Sequence, residues 1–309
     1  MQTKREEEMQ QFIGAHAFPE CKYSRPAYLE QALDLLNTDG EDSKVVAGCT
    51  DFIPAVRKGI WQFEPGIKLV DINSVQELQK IEIRENDLVL GAAVKLSDLV
   101  NSHKVQEYAA ILSQAAEEMG SLQVRNSGTI GGNLSTASPA ADTAPPLLAL
   151  SAKIRIQGRH TDKFLSLEEF FTAPGCTLLQ PGELLTEIHI PLRANLGRME
   201  RCKLGLRNAF TISIISQAVW IEIEDTQVKR ARIALGAVAP TCMRAEQAEN
   251  FLTGKEISPS SAGKCAEIVS REVKPITDLR ASESYRRKMA AVLTRRLLLR
   301  CAQSSHANN

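Results

Sequence analysis

Short alternating runs of apolar and polar residues are interleaved with runs at helical spacing, which predicts a chain built from both strands and helices. The predicted strands are 44–47, 67–72, 81–83, 88–92, 153–157, 181–192, 212–224 and 228–238. The last two are long and adjacent, so an antiparallel pair is expected. This mixture of elements predicts an α/β pattern, followed by the long antiparallel pair.

Apolar residues at helical spacing and capping residues predict the helices. The predicted helices begin near Pro26, Ile53 and Ser97 and cover 105–119, 167–171, 244–252, 259–273 and 282–300. The first is expected to bury Tyr28 together with Leu29, Ala32, Leu33 and Leu36. The last carries a row of arginines that includes Arg286, and we expect that row to face solvent.

The pattern divides the chain into three parts. Residues 1–15 are charged and rich in Gln, which is typical of a loose arm. Residues 16–194 have an α/β pattern that is expected to split near 73–80. Residues 195–309 hold the long strand pair and the last three helices. At roughly 150 residues per domain, 309 residues also suggest two domains.

Composition narrows the functional class. The 37 basic and 37 acidic residues give zero net charge, which argues against a dedicated nucleic-acid binder. No apolar run approaches the roughly 18 residues that span a bilayer, and no signal peptide is visible. The seven cysteines are scattered with no C-x-x-C pair. We therefore expect a cytoplasmic protein with no membrane span, no disulfide framework and no metal site.

A first small-residue turn follows the strand at 44–47. Its members are Lys44, Val45, Val46, Ala47, Gly48, Cys49, Thr50, Asp51 and Phe52. Consecutive backbone N–H groups at such a strand-to-helix turn suit a diphosphate, and Lys44 could add a cation. The segment matches neither G-x-G-x-x-G nor the P-loop, so a plain strand-to-helix connection remains open.

A second polar segment, 123–142, is poor in large apolar residues and contains three glycines within five positions. A glycine has no side chain, so another group can lie directly against the backbone at that position. The polar candidates within it include Thr129, Asn133, Ser138 and Asp142. A carboxylate such as Asp142 can accept hydrogen bonds from a sugar diol. An irregular surface loop is the alternative.

Together these motifs resemble a known family. The order A-G-x-T-D at 47–51, V-R-N-x-G-T-I-G-G-N-L at 124–134 and A-S-P-A-A-D at 137–142 is similar to that of the FAD-binding (medium) subunits of molybdenum hydroxylases. Those include carbon monoxide, xanthine and nicotinate dehydrogenases. Segments 182–191, 203–207 and 284–286 extend the resemblance, so it covers roughly residues 15–300.

The resemblance implies a fold and a set of cofactor-binding residues. The fold would be a vanillyl-alcohol-oxidase-type FAD-binding fold of two α/β subdomains plus a C-terminal α+β domain. Val45 through Phe52 would wrap the FAD diphosphate with backbone N–H groups. The other side would be formed by Thr129, Gly131, Gly132 and Asn133. Ser138 and Asp142 would bind the ribose or a phosphate.

At the other end of the cofactor, the resemblance places Leu185 and Lys203 near the isoalloxazine ring. A cation there would stabilise negative charge on the reduced flavin. Replacing Gly131 and Gly132 by valine is expected to abolish flavin retention and to spare the fold.

One residue departs from the family pattern. Cys49 stands where the family usually has a second glycine, and a cysteine can replace it if the backbone φ stays negative. The extra cysteine-rich insert that holds a [4Fe-4S] cluster in one branch is absent from this sequence, so no iron–sulfur site is expected in this chain.

The function implied is that of an electron-transfer subunit. FAD would receive electrons from a [2Fe-2S] small subunit that serves a molybdopterin large subunit, and would pass them to an external acceptor, NAD or a quinone. No catalytic acid or base is then needed in this chain. The alternatives are a stand-alone flavin oxidoreductase of the same superfamily, and a non-catalytic nucleotide-binding assembly subunit.

Overall fold

The computed structural model describes residues 18–37, 42–207 and 209–303, so the arm expected at 1–15 lies outside the described residues. A three-stranded parallel sheet comes first, with strand order β1-β3-β2. Its strands are β1 (Cys21–Ser24), β2 (Ser43–Val46) and β3 (Ile67–Asp71). Two helices, α1 (Leu29–Leu36) and α2 (Phe52–Arg57), connect them.

Two short 3-10 turns, Ile72–Ser74 and Gln76–Gln79, lead into a five-stranded antiparallel sheet with order β4-β5-β10-β6-β7. Its strands are β4 (Ile81–Arg84), β5 (Asp87–Gly91), β6 (Lys153–Gly158), β7 (Thr161–Ser166) and β10 (Leu184–Pro191). A small hairpin, β8 (Phe171–Ala173) and β9 (Cys176–Thr177), follows the short helix α9 (Leu167–Phe170). The capping box of Ser166 and Glu169 begins α9 where the sequence predicts it.

Six helices lie between β5 and β6 and cover the second sheet. They are α3 (Leu96–Asn101), α4 (His103–Tyr108), α5 (Ala110–Glu117), α6 (Leu122–Ser127), α7 (Ile130–Ser135) and α8 (Ala144–Ala149). Apolar residues of all of them except α6 form one continuous core with β5, β6 and β10. The polar segment 123–142 is therefore partly helical and sits on the main core.

The C-terminal part is a four-stranded antiparallel sheet with order β11-β12-β13-β14, packed on three helices. Its strands are β11 (Arg198–Leu204), β12 (Ile215–Glu224), β13 (Gln227–Gly236) and β14 (Met243–Arg244). The helices are α10 (Glu246–Leu252), α11 (Pro259–Glu272) and α12 (Glu283–Gln303). The 3-10 turn Leu192–Leu196 joins this part to β10.

Three local predictions are wrong, each because tertiary contacts override a local pattern. The first helix begins at Leu29, since residues 21–24 pair with β3, and Tyr28 is exposed. The helix predicted over 105–119 is two helices that meet at the fully buried Ala109 (φ −144°, ψ 47°). The helix predicted to start at Ser97 has Lys95 as its N-cap.

The expectation that the basic row of α12 faces solvent is wrong for Arg286. This side chain is 1% exposed and donates hydrogen bonds to the carbonyl oxygens of Ile214 (2.7 Å) and Ala237 (2.8 Å). It also forms an ion pair with Asp278 at 2.7 Å. The cost of burying this guanidinium is offset because both terminal nitrogens find carbonyl or carboxylate partners, while Nε has no hydrogen-bond partner among the described residues. No helix within the described ranges is long and apolar enough to cross a membrane.

Candidate functional site

The first turn leaves a row of backbone donors without protein partners. Among the residues that the structure describes, the N–H groups of Gly48, Cys49, Thr50 and Asp51 donate no hydrogen bond. They lie between the end of β2 and the start of α2. Successive unpaired N–H groups at a helix start are suited to an anion, and a diphosphate is the anion that the sequence resemblance implies. The donor set therefore fits FAD.

Three other members of this segment have different surroundings. Val45 and Val46 belong to β2 and pair with Val70 and Asp71 of β3, which leaves residues 48–51 as the candidate anion-binding part of the segment. Lys44 is exposed, and its Nζ lies 5.8 Å from the centre of the Trp61 ring.

Phe52, the last residue of the segment, is a packing residue. Its side chain is 7% exposed and stacks on Phe63, with ring centres 5.6 Å apart. Trp61 and Phe18 complete the aromatic cluster. This cluster holds the start of α2 in place, so Phe52 contributes to the turn by anchoring the helix that follows it.

The expectation that Cys49 keeps a negative φ is wrong. Its φ is 56°, in the left-handed region that favours glycine, which is the residue usual in the family. The side chain is half-buried. Burial is the larger cause of a raised thiol pKa, and the negative charge of the nearby Asp71 carboxylate is the smaller one. The thiol is therefore mainly protonated at neutral pH, which agrees with a space-filling role.

Asn73, which the sequence analysis did not identify, stabilises the turn through its side-chain amide. Its side-chain amide donates to the Ala47 carbonyl at 2.8 Å and to the Asp71 carboxylate at 2.7 Å. Tyr23 donates to the other oxygen of Asp71 at 2.5 Å, and this bond raises the pKa of the phenol. An Asn after a strand is too common a feature to be recognised from sequence.

The second segment lies directly against the first turn. A Cβ atom built on Gly48 would clash with the Ser127 carbonyl and lie 2.6 Å from Gly128 Cα. Asp51 also accepts a hydrogen bond from the Thr136 hydroxyl at 3.3 Å. The structure thus brings the two glycine-containing segments together, as the resemblance implies.

Gly131, Gly132 and Asn133 use their N–H groups inside the protein. Gly131 donates to the Ala92 carbonyl, Asn133 donates to the Thr129 carbonyl, and Gly132 donates to the Thr129 hydroxyl at 3.1 Å. Thr129 is therefore the N-cap of α7. These backbone donors do not remain for a ligand.

The requirement for glycine at 131 comes from packing. A Cβ atom there would lie 2.6 Å from Cβ of Ala92. The expectation that valines at 131 and 132 spare the fold is therefore wrong, because position 131 has no room for a side chain. The side chain of Asn133 in turn accepts a hydrogen bond from Thr143 at 2.6 Å.

Ser138 and Asp142 have different surroundings. The Ser138 hydroxyl accepts a hydrogen bond from the Ala140 N–H, which makes a local turn. Asp142 is buried. One of its carboxylate oxygens accepts a hydrogen bond from Lys203 Nζ at 2.7 Å, and the other accepts one from the Ser213 hydroxyl at 2.5 Å. Lys203 also donates to the Glu118 carbonyl.

The Asp142–Lys203 contact constrains the predicted roles. Asp142 is expected at the ribose or a phosphate and Lys203 near the isoalloxazine, yet their charged groups are in direct contact. The two side chains therefore lie at one point of the structure and not at the two ends of an extended cofactor, and the Lys203 charge is balanced by the carboxylate. Leu185, the other residue expected near the ring, is 2% exposed within β10, beside a register shift.

No cluster of three or more His, Cys, Asp or Glu side chains is placed to hold a metal ion in the described part of the chain. All seven cysteines are free. His189 lies between two carboxylates, with Nε2 2.9 Å from Glu187 and Nδ1 3.4 Å from Asp87. It is thus a polar residue with partners inside the second sheet.

Two family models match the chain. Residues 18–193 match the FAD binding domain in molybdopterin dehydrogenase, and residues 202–301 match the CO dehydrogenase flavoprotein C-terminal domain. The medium chain of carbon monoxide dehydrogenase from Hydrogenophaga pseudoflava is 31% identical, over 92% of this chain and 99% of that relative. The nicotine 6-hydroxylase medium subunit of Paenarthrobacter nicotinovorans is 30% identical, over 91% and 97%.

Solved structures give the same result. A carbon monoxide dehydrogenase chain from Hydrogenophaga pseudoflava superposes with a TM-score of 0.87 at 30% identity, covering 94% of this chain and 99% of that one. A chain of quinoline 2-oxidoreductase from Pseudomonas putida 86 gives 0.86 at 28% identity, with the same coverage. Both the order of the elements and the extent of the chain are therefore shared with these enzymes.

Proposed function

Because this chain belongs to the FAD-binding subunits of the molybdopterin-dependent dehydrogenases, with FAD as its cofactor, we propose that it carries electrons between redox subunits and an external acceptor. Electrons would arrive from [2Fe-2S] clusters of a small subunit, after substrate oxidation at a molybdopterin large subunit. They would leave to NAD or a quinone. FAD supplies the electron-exchange chemistry when bound.

The observation that carries the cofactor assignment is the row of unpaired N–H groups at 48–51, beside the second glycine segment. Backbone donors hold a diphosphate without a cation, because each N–H is already directed at the anion when the strand and helix have formed. The aromatic cluster around Phe52 and the Asn73 amide keep that turn rigid. The polypeptide therefore positions the cofactor, and no proton-transfer group is needed.

Two charged contacts join the FAD-binding part to the C-terminal part. Lys203 of β11 meets Asp142 and the Glu118 carbonyl, and Arg201 meets the Glu118 carboxylate at 2.9 Å. These contacts would keep the C-terminal sheet closed over the flavin and water excluded from it. The resemblance places Lys203 beside the flavin, and there its charge would act together with that of Asp142, because the two side chains are in direct contact.

The partners follow from the relatives, whose names describe medium chains and subunits of complexes. No group of three or more His, Cys, Asp or Glu side chains among the described residues is placed to hold a metal ion, so other subunits would have to supply the molybdenum and iron centres. We expect the complex to work in the cytoplasm, because seven free cysteines suit a reducing compartment.

The test is purification of the chain with the proteins that accompany it in its native source. We expect a larger and a smaller subunit, with molybdenum, iron and about one FAD per copy of this chain, since the flavin serves centres that lie elsewhere. Recovery of the FAD-loaded chain alone, fully active with a small substrate, would instead support a stand-alone oxidoreductase. Recovery without FAD would support an assembly subunit.

The acceptor is identified on the same material. The reduced complex is mixed anaerobically with NAD⁺ or with a soluble quinone, and the flavin absorbance is followed. Rapid reoxidation of the flavin by NAD⁺ or by the quinone identifies the acceptor class. Reoxidation by neither would contradict the proposed external route through the flavin, while leaving the FAD assignment intact.

A further inference from the structure

Two adjoining cavities lie where the second sheet meets the C-terminal sheet. Their volumes are 220 and 420 Å³, and both are lined by Ser151, Pro191, Arg193 and Arg232. The larger is within the range of small-ligand sites, roughly 300–1,000 Å³. We call the two together the junction pocket.

The junction pocket is cationic. Its charged lining residues are Lys153, Arg193, Arg230 and Arg232 against Asp87 and Glu222. Both carboxylates already have partners. Glu222 lies 3.4 Å from Lys229 and 3.9 Å from Arg230, and Asp87 lies 3.4 Å from His189. The excess of positive charge therefore falls on Lys153, Arg193 and Arg232.

Arg232 is a partly buried cation without a counter-ion. Its guanidinium lies 4.5 Å from the centre of the Trp220 ring and forms no hydrogen bond or ion pair with any described residue. The nearby carboxylate of Glu249 already accepts hydrogen bonds from Arg244 and from the Ile233 N–H. Burial, together with Arg244, Arg193 and Arg230, lowers the pKa of Arg232 to about 10.

Arg193 is the second unpaired cation. It lies in the 3-10 turn Leu192–Leu196, is exposed, and has no ion pair in the ranges that the structure covers. Two guanidiniums that face one cavity repel each other unless an anion lies between them. The neutral donors beside them are the Ser151 hydroxyl and the Asn86 amide, both of which can bond to oxygen.

We propose that the junction pocket binds a small phosphate-type oxyanion, such as inorganic phosphate, pyrophosphate or the phosphate of a monoester. Guanidinium forks match the oxygens of phosphate in pairs, which gives short charge-assisted hydrogen bonds. A nucleotide base would have no aromatic face to stack on. Trp220 is 3% exposed, its N–H is bonded to the Ala194 carbonyl, and Arg232 covers its ring.

This site is separate from the FAD turns. Asp87, at the start of β5, lines the pocket, whereas Ala92, just past the end of β5, contacts Gly131. Five residue steps of extended chain separate Asp87 from Ala92, roughly 17 Å. The proposal therefore stands independently of the function proposed above.

The test is calorimetric titration of the full-length, FAD-loaded protein with phosphate, with pyrophosphate and with succinate. The variants are Arg232→Gln and the exposed Arg193→Gln. The matched control is Arg295→Gln on the exposed side of α12, which removes the same charge elsewhere. Flavin absorbance and thermal unfolding confirm that each variant is folded.

We expect saturable binding of phosphate or pyrophosphate at about one site per chain, as for a single defined cavity. Each pocket variant should weaken it by about tenfold or more, the loss expected for one charge-assisted hydrogen bond, and the control should not. The absence of saturable binding at millimolar concentrations would overturn the proposal, as would unchanged affinity in Arg193→Gln. Equal affinity for succinate would overturn the phosphate assignment.

Discussion

The Cα atom of Gly128 lies 2.6 Å from the position that a Cβ atom on Gly48 would occupy. Two segments that are far apart in sequence thus meet backbone to backbone, with no side chain between them. Glycine at 48 is required for that approach, and the approach places the unpaired N–H groups of 48–51 beside the second glycine segment.

The variant Gly48→Ala is expected to push the two segments apart and to lose most of its FAD. Overpacking against backbone costs about 1–3 kcal/mol of unfolding free energy. FAD content per chain and urea unfolding measure the two effects. The control is Gly263→Ala in α11, where no atom lies within 4 Å of the added Cβ. That control should keep its FAD and gain about 0.5–1 kcal/mol. Full FAD content in Gly48→Ala would show that the close approach is unnecessary.

Alanine at 131 and at 132 should have different effects. Gly131→Ala places a Cβ atom against Ala92, so we expect a loss of about 1–3 kcal/mol. In Gly132→Ala the added atom meets only the Thr129 hydroxyl, 2.9 Å away. Losing that cap costs about 1 kcal/mol, which the helix preference of alanine largely offsets. Denaturant unfolding of both variants is the measurement, and equal destabilisation would refute the packing explanation.

Substitutions at position 49 test whether the backbone there has a left-handed conformation. Cys49→Gly removes the side chain from a φ of 56° and should retain FAD, with stability within about 1 kcal/mol of the native chain. Cys49→Val should be clearly less stable, since β-branched residues strongly disfavour this conformation. Thermal unfolding and FAD content distinguish the two. A valine variant as stable as the glycine variant would mean that the turn adopts another backbone conformation in solution.

Arg286→Met should destabilise the C-terminal part by about 3–5 kcal/mol, because the Ile214 and Ala237 carbonyls and Asp278 lose a buried partner. Arg295→Met, on the exposed side of the same helix, should change the unfolding free energy by less than about 0.5 kcal/mol. Chemical unfolding measures both variants. Similar small effects at 286 and 295 would contradict the burial of Arg286.

Glu187 gives a pH dependence of stability. Hydrogen bonds from His189 and Arg84 lower the pKa of this carboxyl to about 2, below its usual 4.5. The folded state therefore favours the ionised form. Its contribution to the free energy of unfolding is present above pH 4.5 and is lost as the pH falls toward 2.

The variant Glu187→Gln isolates that contribution. The stability difference between the native chain and the variant should be largest at neutral pH and shrink as the pH is lowered through this window. Urea unfolding at several pH values measures it, with the exposed Glu64→Gln as a control for loss of one charge. A difference that does not change with pH would mean that Glu187 titrates normally in the folded chain.

Sequence patterns were sufficient where the signal is local. The strand predicted over 44–47 corresponds to β2, and the strands predicted over 81–83 and 88–92 pair as β4 and β5. The helix predicted over 167–171 begins at the capping box of Ser166. The family motifs also identified the two segments that meet at Gly48 and Gly128. These are features in which one short segment determines its own conformation.

Features that need distant partners were not predictable. β1 exists because residues 21–24 pair with β3. Arg286 is buried because it reaches the carbonyls of Ile214, just before β12, and Ala237, just after β13. The Asp142–Lys203 contact joins two parts of the fold that no spacing rule relates. Likewise, the positive φ of Cys49 departs from what its residue type favours, and only the geometry of the turn reveals it.

The central claim is that the turn at 48–51 holds FAD. Its most direct test is the absorption spectrum of the purified full-length chain, native and Gly48→Ala, followed by release and identification of the chromophore. We expect about one FAD per native chain and little in the variant, because the protein's contribution is to bind and orient the cofactor. A colourless native chain that takes up no added FAD would contradict the account.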